Sequence, residues 1–270
     1  MAGPLIIQHI PKTGGTTLWA ITTRMMAGSR FNRVNAGNFH ENTQALRAIL
    51  AEQPPRYDAI IAHAYADALI PAPGPHRKVV LLRDPVERAV SFYYYALRDR
   101  AGNLAYYYGE DDPTLLTAAH RRPADFQTRL VAGVHGETVT PADLQRAKDN
   151  LAQHFDVFGL TERFDEMLIW LQQVMGWGLP LYRRYKKGRN RPRAIPPEVR
   201  AVLEDRNPND RDLYAYACAL FEERIREVPD RWPGYRRAQA DPGQHDPAPN
   251  PHAGSRHRHR RPRRELSNTV

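Results

Sequence analysis

Four short apolar runs, near 4–10, 57–62, 78–82 and 155–160, punctuate an otherwise mixed chain. Leu5-Ile6-Ile7, Ile60-Ile61 and Val79-Val80-Leu81-Leu82 contain no polar position, the pattern of strands buried on both faces. Between and after these runs the apolar positions recur at helical spacing. They predict helices near 16–27, 43–53, 85–100, 123–132, 141–153, 163–176, 196–206 and 209–227. In the first, Leu18, Ile21 and Met25 share one side; in 163–176, Phe164, Met167, Leu168, Leu171, Val174 and Met175 follow the 3.6-residue period. Pro141-Ala142-Asp143 and Pro196-Pro197-Glu198 read as helix starts, with proline in the first turn. Strands alternating with helices predict an α/β fold, a parallel sheet flanked by helices in three layers.

Three segments fall outside this rhythm. Residues 102–113, with Tyr106-Tyr107-Tyr108 and Asp111-Asp112, form an insertion after the 85–100 helix. Its aromatic residues either pack locally or stack on a sugar ring. Residues 182–193 hold seven basic side chains around Gly188, either a solvated charged loop or an anion-facing one. From Pro229 onward prolines crowd in and apolar residues thin out, ending in the basic run Arg256 to Arg264. This composition cannot bury enough surface to fold and predicts a disordered C-terminal tail. The expected division is a folded domain over 1–228 and a Pro/Arg/His-rich tail over 229–270.

Composition narrows the function classes. The 270 residues are 41% hydrophobic and 26% charged, an ordinary globular balance that allows one domain with a real core. No apolar stretch approaches the ~18 residues of a membrane span, and the first strand begins too early for a signal peptide. The single cysteine, Cys218, rules out an internal disulfide and agrees with a reducing compartment; it falls in an apolar-rich helix and reads as core. No His/Cys/Asp/Glu group has zinc-site spacing, so no metal is required. The net charge is +9, of which +5 lies in 229–270, where nine arginines face four acids. A modestly basic body suits an anionic nucleotide; the tail suits non-specific polyanion contact.

The chemistry concentrates at two strand ends. Ile10-Pro11-Lys12-Thr13-Gly14-Gly15-Thr16-Thr17 follows the first strand and opens a helix. Gly14 and Gly15 permit close backbone approach and unusual angles, and the helix start offers unpaired N–H groups to an anion. Lys12 adds a cation, and Thr13, Thr16 and Thr17 add hydroxyl donors. The lysine precedes the glycines, so this is not the Gly-Lys-Ser/Thr of a Walker loop. At the second strand end stands Arg83-Asp84-Pro85-Val86-Glu87-Arg88. Asp84 suits an N-cap and Pro85 the first helical position. Arg83 and Ser91 are placed to clamp one phosphate; the structural alternative is an ion pair of Arg83 with Asp84 or Glu87. His63, at the end of Tyr57–Ala62, lies on the same sheet edge if the strands are parallel, and its acidity suits a general base. His9 reads as packing against the loop, and His40 lies in a polar stretch open to an acceptor. His135 has no identifiable partner.

These residues carry a resemblance. His9 to Thr17 resembles the 5′-phosphosulfate loop of sulfotransferases that use 3′-phosphoadenosine-5′-phosphosulfate (PAPS). Arg83 to Arg88, with Ser91 and Tyr93, resembles their 3′-phosphate motif. The chain is most similar to the branch of the heparan 2-O-sulfotransferases and their bacterial relatives. Gln127 to Gly133 and Gly159 to Glu166 extend the likeness, which spans about residues 3–228. The resemblance implies a P-loop-like sheet, PAPS as co-substrate without a metal, and a histidine base at the position of His63. It also implies an acceptor hydroxyl, on a glycan or glycolipid, with no specific nucleic acid. Some relatives carry His-x-His where this chain has His63-Ala64-Tyr65. Relatives held in the Golgi carry an anchor that this chain lacks, which leads us to expect a cytoplasmic enzyme. The competing expectations are a nucleotide or small-molecule kinase, which would want a Walker lysine and a magnesium-binding Asp, and a catalytically inactive polyanion-binding protein.

Overall fold

The computed structural model describes residues 3–52, 54–98, 107–109, 112–178, 182 and 194–227. The tail expected over 229–270, the basic segment after Tyr182 and most of the 102–113 insertion lie outside the described residues.

Five strands form one parallel sheet: β1 (Leu5–Gln8), β2 (Phe31–Val34), β3 (Ala59–Ala62), β4 (Arg77–Leu82) and β5 (Val157–Leu160), in the spatial order β2-β3-β1-β4-β5. Nine α-helices are described. They are α1 (Gly15–Met25), α2 (Phe39–Ala51), α3 (Pro85–Arg98), α4 (Leu115–Arg121), α5 (Phe126–Ala132), α6 (Pro141–Gln153), α7 (Phe164–Met175), α8 (Pro197–Arg206) and α9 (Pro208–Arg226).

Strand parity shows that helices cover both faces. Leu5 and Ile7 of β1, with Ala59 and Ile61 of β3, pack in one cluster with Leu18 and Ile21 of α1. The alternate positions, Ile6, Ile60 and Ala62, pack with Leu46 and Leu50 of α2. Side chains of successive strand residues point to opposite faces, so α1 and α2 lie on opposite sides of the sheet, and α5 lies on the Ile6 side, where Gln8 donates to the Leu130 carbonyl at 2.9 Å. Every residue of β1, β3 and β5 is buried, which explains why these runs carry no polar alternation.

The order of the strands positions the site. From β1 the chain moves outward through β2 and returns by β3, then crosses to β4 on the other side of β1, pairing Ile7 with Val79. The loops after β1 and β4 therefore leave in opposite directions. They open a crevice at the carboxyl edge, where open parallel sheets bind ligands.

Three features differ from the sequence expectation. β2 escapes the apolar pattern because Phe31-Asn32-Arg33-Val34 is an edge strand with only Val34 buried. The helix expected from 43 begins at Phe39, where Asn38 and Glu41 form a reciprocal capping box. The helix expected over 123–132 begins at Phe126, and a separate helix, α4, precedes it. Arg122-Pro123 divides the two, since a residue before proline is driven out of the helical region. No helix among the described residues is long and apolar enough to cross a membrane.

Candidate active site at the β1–β4 crevice

The turn after β1 is built by its own backbone. Thr13 is fully buried and its hydroxyl donates to the Ile10 carbonyl at 2.8 Å, so this side chain braces the turn and does not face the crevice as a donor. Gly14, the N-cap of α1, has φ +96°, the left-handed region that glycine enters without penalty. Lys12 has φ +74°, uncommon for a residue with a Cβ. Its ammonium lies 4.5 Å over the ring of Tyr95 on α3. Thr16 and Thr17 line the crevice, and the first amides of α1 have no carbonyl ahead of them in the helix.

Gly15 has a different reason to be glycine. A Cβ there would sit 2.1 Å from His9 Cδ2. The missing side chain admits the His9 imidazole, which stacks on His63 with ring centroids 4.3 Å apart. His9 thus packs against the loop, as expected, and also supports the neighbouring histidine.

Arg83 enters the same crevice from β4. Its backbone is clamped twice by Gln127, whose carbonyl oxygen accepts from Arg83 N at 3.0 Å and whose amide donates to Arg83 O at 2.8 Å. Its guanidinium donates to the Lys12 carbonyl at 3.1 Å and pairs with Glu87 at 3.4 Å and Glu162 at 3.7 Å. The ion pair with Glu87, given above as the structural alternative, is therefore present alongside the crevice position, while Asp84 accepts from Glu87 N at 2.8 Å and caps α3. Ser91 lines the crevice with Arg83. Thr161 ties the two loops together, its hydroxyl lying 2.8 Å from Thr13 O and 2.9 Å from Leu82 O.

His63 stands at the end of β3 and faces the same cavity of about 510 Å³. Its Nδ1 lies 2.9 Å from the His9 carbonyl, which can only accept. Nδ1 therefore carries the proton, and Nε2 keeps its lone pair. Burial lowers the pKa of His63, the His9 carbonyl opposes this, and the nearby Arg33 charge lowers it further. A neutral imidazole with a fixed tautomer is a competent proton acceptor. Phe39 packs edge-on against it at 5.7 Å.

Of the expected site residues, Lys12, Gly14, Gly15, Thr16, Thr17, Arg83, Ser91 and His63 converge on this cavity; Thr13 alone turns inward. Sequence reasoning missed Gln127 as the clamp on Arg83, Tyr95 beneath Lys12, and Arg33 beside His63. It also missed a second imidazole array. Asp67 accepts from Arg47 and from His135 Nε2 at 2.9 Å, and His135 Nδ1 lies 3.1 Å from His40 Nδ1. These pairings join residues far apart in the chain, and no local spacing signals them. Tyr107 and Tyr182, from the two irregular segments, line the cavity too.

Comparison of the chain with protein-family models and with curated protein sequences found no match.

Proposed function

We propose that the protein is a sulfotransferase that moves a sulfuryl group from PAPS to an acceptor hydroxyl, on a P-loop-like parallel sheet. The observation that carries this reading is the convergence of three groups on one crevice. They are the Lys12–Thr17 turn at a helix N-terminus, the Arg83–Ser91 pair, and a neutral histidine with a free-standing lone pair.

The residues present fit a nucleotide with phosphate at both ends. The first turn of α1, Lys12 and the Thr16 and Thr17 hydroxyls are suited to the 5′-phosphosulfate. Arg83 and Ser91 are suited to the 3′-phosphate, and the carboxylates of Glu87 and Glu162 hold the guanidinium in place beforehand. In the reaction the acceptor oxygen bonds to sulfur as the bond from sulfur to the 5′-phosphate oxygen breaks, and the nucleotide leaves with that electron pair. His63 Nε2 takes the acceptor's proton. Lys12 and the α1 amides face the charge growing on the leaving oxygen, as preorganised donors. A carbohydrate hydroxyl is the acceptor we favour, from the sequence resemblance. A cytoplasmic setting goes with the single, half-buried cysteine.

The test is transfer of radiolabel from [35S]PAPS to a panel of glycans in the presence of EDTA. Label should move, and His63→Ala should reduce the rate about 10²–10⁴-fold while leaving adenosine 3′,5′-bisphosphate affinity within a few-fold. Transfer from ATP that EDTA abolishes, with none from PAPS, would mark a kinase instead.

A further inference from the structure

Near the crevice lie two buried arginines, Arg88 of the Arg83–Arg88 motif and Arg122, to which sequence reasoning gave no role of their own. Arg88, in the first turn of α3, is 1% exposed, and Arg122, at the end of α4, is 9% exposed. Arg88 Nε and Nη1 and Arg122 Nε are buried and find no hydrogen-bond partner, and neither residue forms a salt bridge among the described residues. Their company is aromatic. Arg122 lies 3.8 Å over Phe92 and 5.6 Å over Phe126; Arg88 lies 4.7 Å over Phe126. Of the acids, Asp210 bears most strongly on Arg88, yet its carboxylate is occupied by Gln127 N at 3.1 Å, Thr128 N at 2.7 Å and the Thr128 hydroxyl at 2.8 Å. Among the described residues, the other ionisable groups facing the pair are Tyr108, Tyr107 and Arg83.

Burying a cation without a partner costs several kcal/mol, and cation–π contacts recover only about 2 kcal/mol each. Two such cations side by side repel as well. Burial pushes the Arg88 guanidinium down to about 10, which still leaves it charged at neutral pH. The arrangement is costly as stabilisation but makes sense as a source of field. Phe92 lines the crevice, and the Arg122 guanidinium lies 3.8 Å from the centre of its ring. Arg88 sits one turn before Ser91, on the helix that carries it. No water layer screens charges held there, so their potential reaches the crevice through low-dielectric side chains.

We propose that Arg88 and Arg122 are buried field sources that raise the affinity of the crevice for a phosphate- or sulfate-bearing ligand without touching it. The inference rests on the reading of the crevice as an anion site and extends it to residues outside the cavity.

The experiment compares Arg88→Met, Arg122→Met and Arg122→Lys with the wild type. Binding of adenosine 3′,5′-bisphosphate, pyrophosphate and uncharged adenosine is measured by titration calorimetry, alongside melting temperature. Each methionine variant should bind both anions about tenfold more weakly and adenosine within twofold of wild type. The melting temperature of Arg122→Met should be unchanged or higher, because an apolar side chain replaces a buried charge without an ion-pair partner, while Arg88→Met, which also removes the charge facing buried Asp210, is judged by its ratio of anion to adenosine affinity. Arg122→Lys should recover most of the anion affinity. Equal losses for adenosine and the anions, or equal behaviour of the lysine and methionine variants, would show that Arg122 acts by packing and overturn the proposal. So would a lower melting temperature with unchanged anion affinity. A wild type that takes pyrophosphate but not the bisphosphate nucleotide would sink the sulfotransferase reading alone, and the same variants would then be judged with pyrophosphate.

Discussion

At the scale of single residues, His63 and the turn after β1 are coupled through one imidazole. His9 fills the space that Gly15 leaves open, supports the His63 ring by stacking, and fixes its tautomer by offering its carbonyl. Gly15→Ala would push a methyl group into His9, and close-packed interiors do not absorb such an insertion without movement. The expected outcome is a turnover loss of about 10²-fold, with the nucleotide dissociation constant rising by less. Steady-state kinetics beside calorimetry check this; a variant with wild-type turnover would show that His9 does not position the base. The state of His63 also sets a pH dependence. Only its neutral form accepts a proton, and its folded pKa lies below the usual value near 6.5. Turnover should therefore hold through pH 6.5 and fall on the acid side of it. The same shift bears on folding. The unfolded chain takes up a proton at His63 near pH 6.5, while the folded chain resists until lower pH. The contribution of neutral His63 is thus complete above 6.5 and lost as pH falls through the folded value. Urea midpoints of wild type and His63→Gln at pH 7.5 and 5.5 should show the larger acid loss in the wild type.

Among the elements, α5 and α9 cap one another. Asp210, in the first turn of α9, accepts the amides of Gln127 and Thr128, while Asp125, just before α5, accepts Asp210 N at 2.9 Å and the Asn209 side chain at 2.8 Å. Each helix start thus receives a carboxylate from the other. Asp210→Ala should cost about 2–4 kcal/mol, the loss of a cap together with buried donors left unpaired. Urea unfolding checks it; a cost under about 0.5 kcal/mol would mean that the two starts are held by other contacts. This pairing explains where the sequence was readable. Local signals were sufficient for β1, β3, β4 and β5, because strands buried on both faces show as unbroken apolar runs. They were also sufficient for α6, α7, α8 and α9, whose proline starts and periodicity are local. β2 was not readable, since an edge strand of four residues with one buried position carries no pattern. The turns after β1 and β4 and His63 were legible because their chemistry sits at strand ends. Gln127 and the His40–His135–Asp67 array were not, because their partners are distant in the chain. The inward turn of the Thr13 hydroxyl was not readable, because a hydroxyl beside a glycine pair looks the same in sequence whether it turns inward or outward.

For the molecule as a whole, a ligand that bridges the β1 and β4 loops should stabilise the fold by mass action. At one hundred times its dissociation constant, adenosine 3′,5′-bisphosphate should contribute about 2.7 kcal/mol, a rise in melting temperature of roughly 5–10 °C for a domain of this size. Differential scanning fluorimetry measures it, and adenosine at the same concentration should give a much smaller rise. A bisphosphate effect no larger than that of adenosine would remove the phosphate assignment. The sheet is parallel, and the edge that carries the crevice is finished from far along the chain: Arg83 is clamped by Gln127, and Gln127 is held by Asp210. On the ribosome, at about 5–20 residues per second, Asp210 follows Arg83 by on the order of ten seconds. During that interval the nascent chain carries Arg83 without the clamp that aligns it. Ligand cannot guide the early sheet, and the crevice matures only once α9 has emerged.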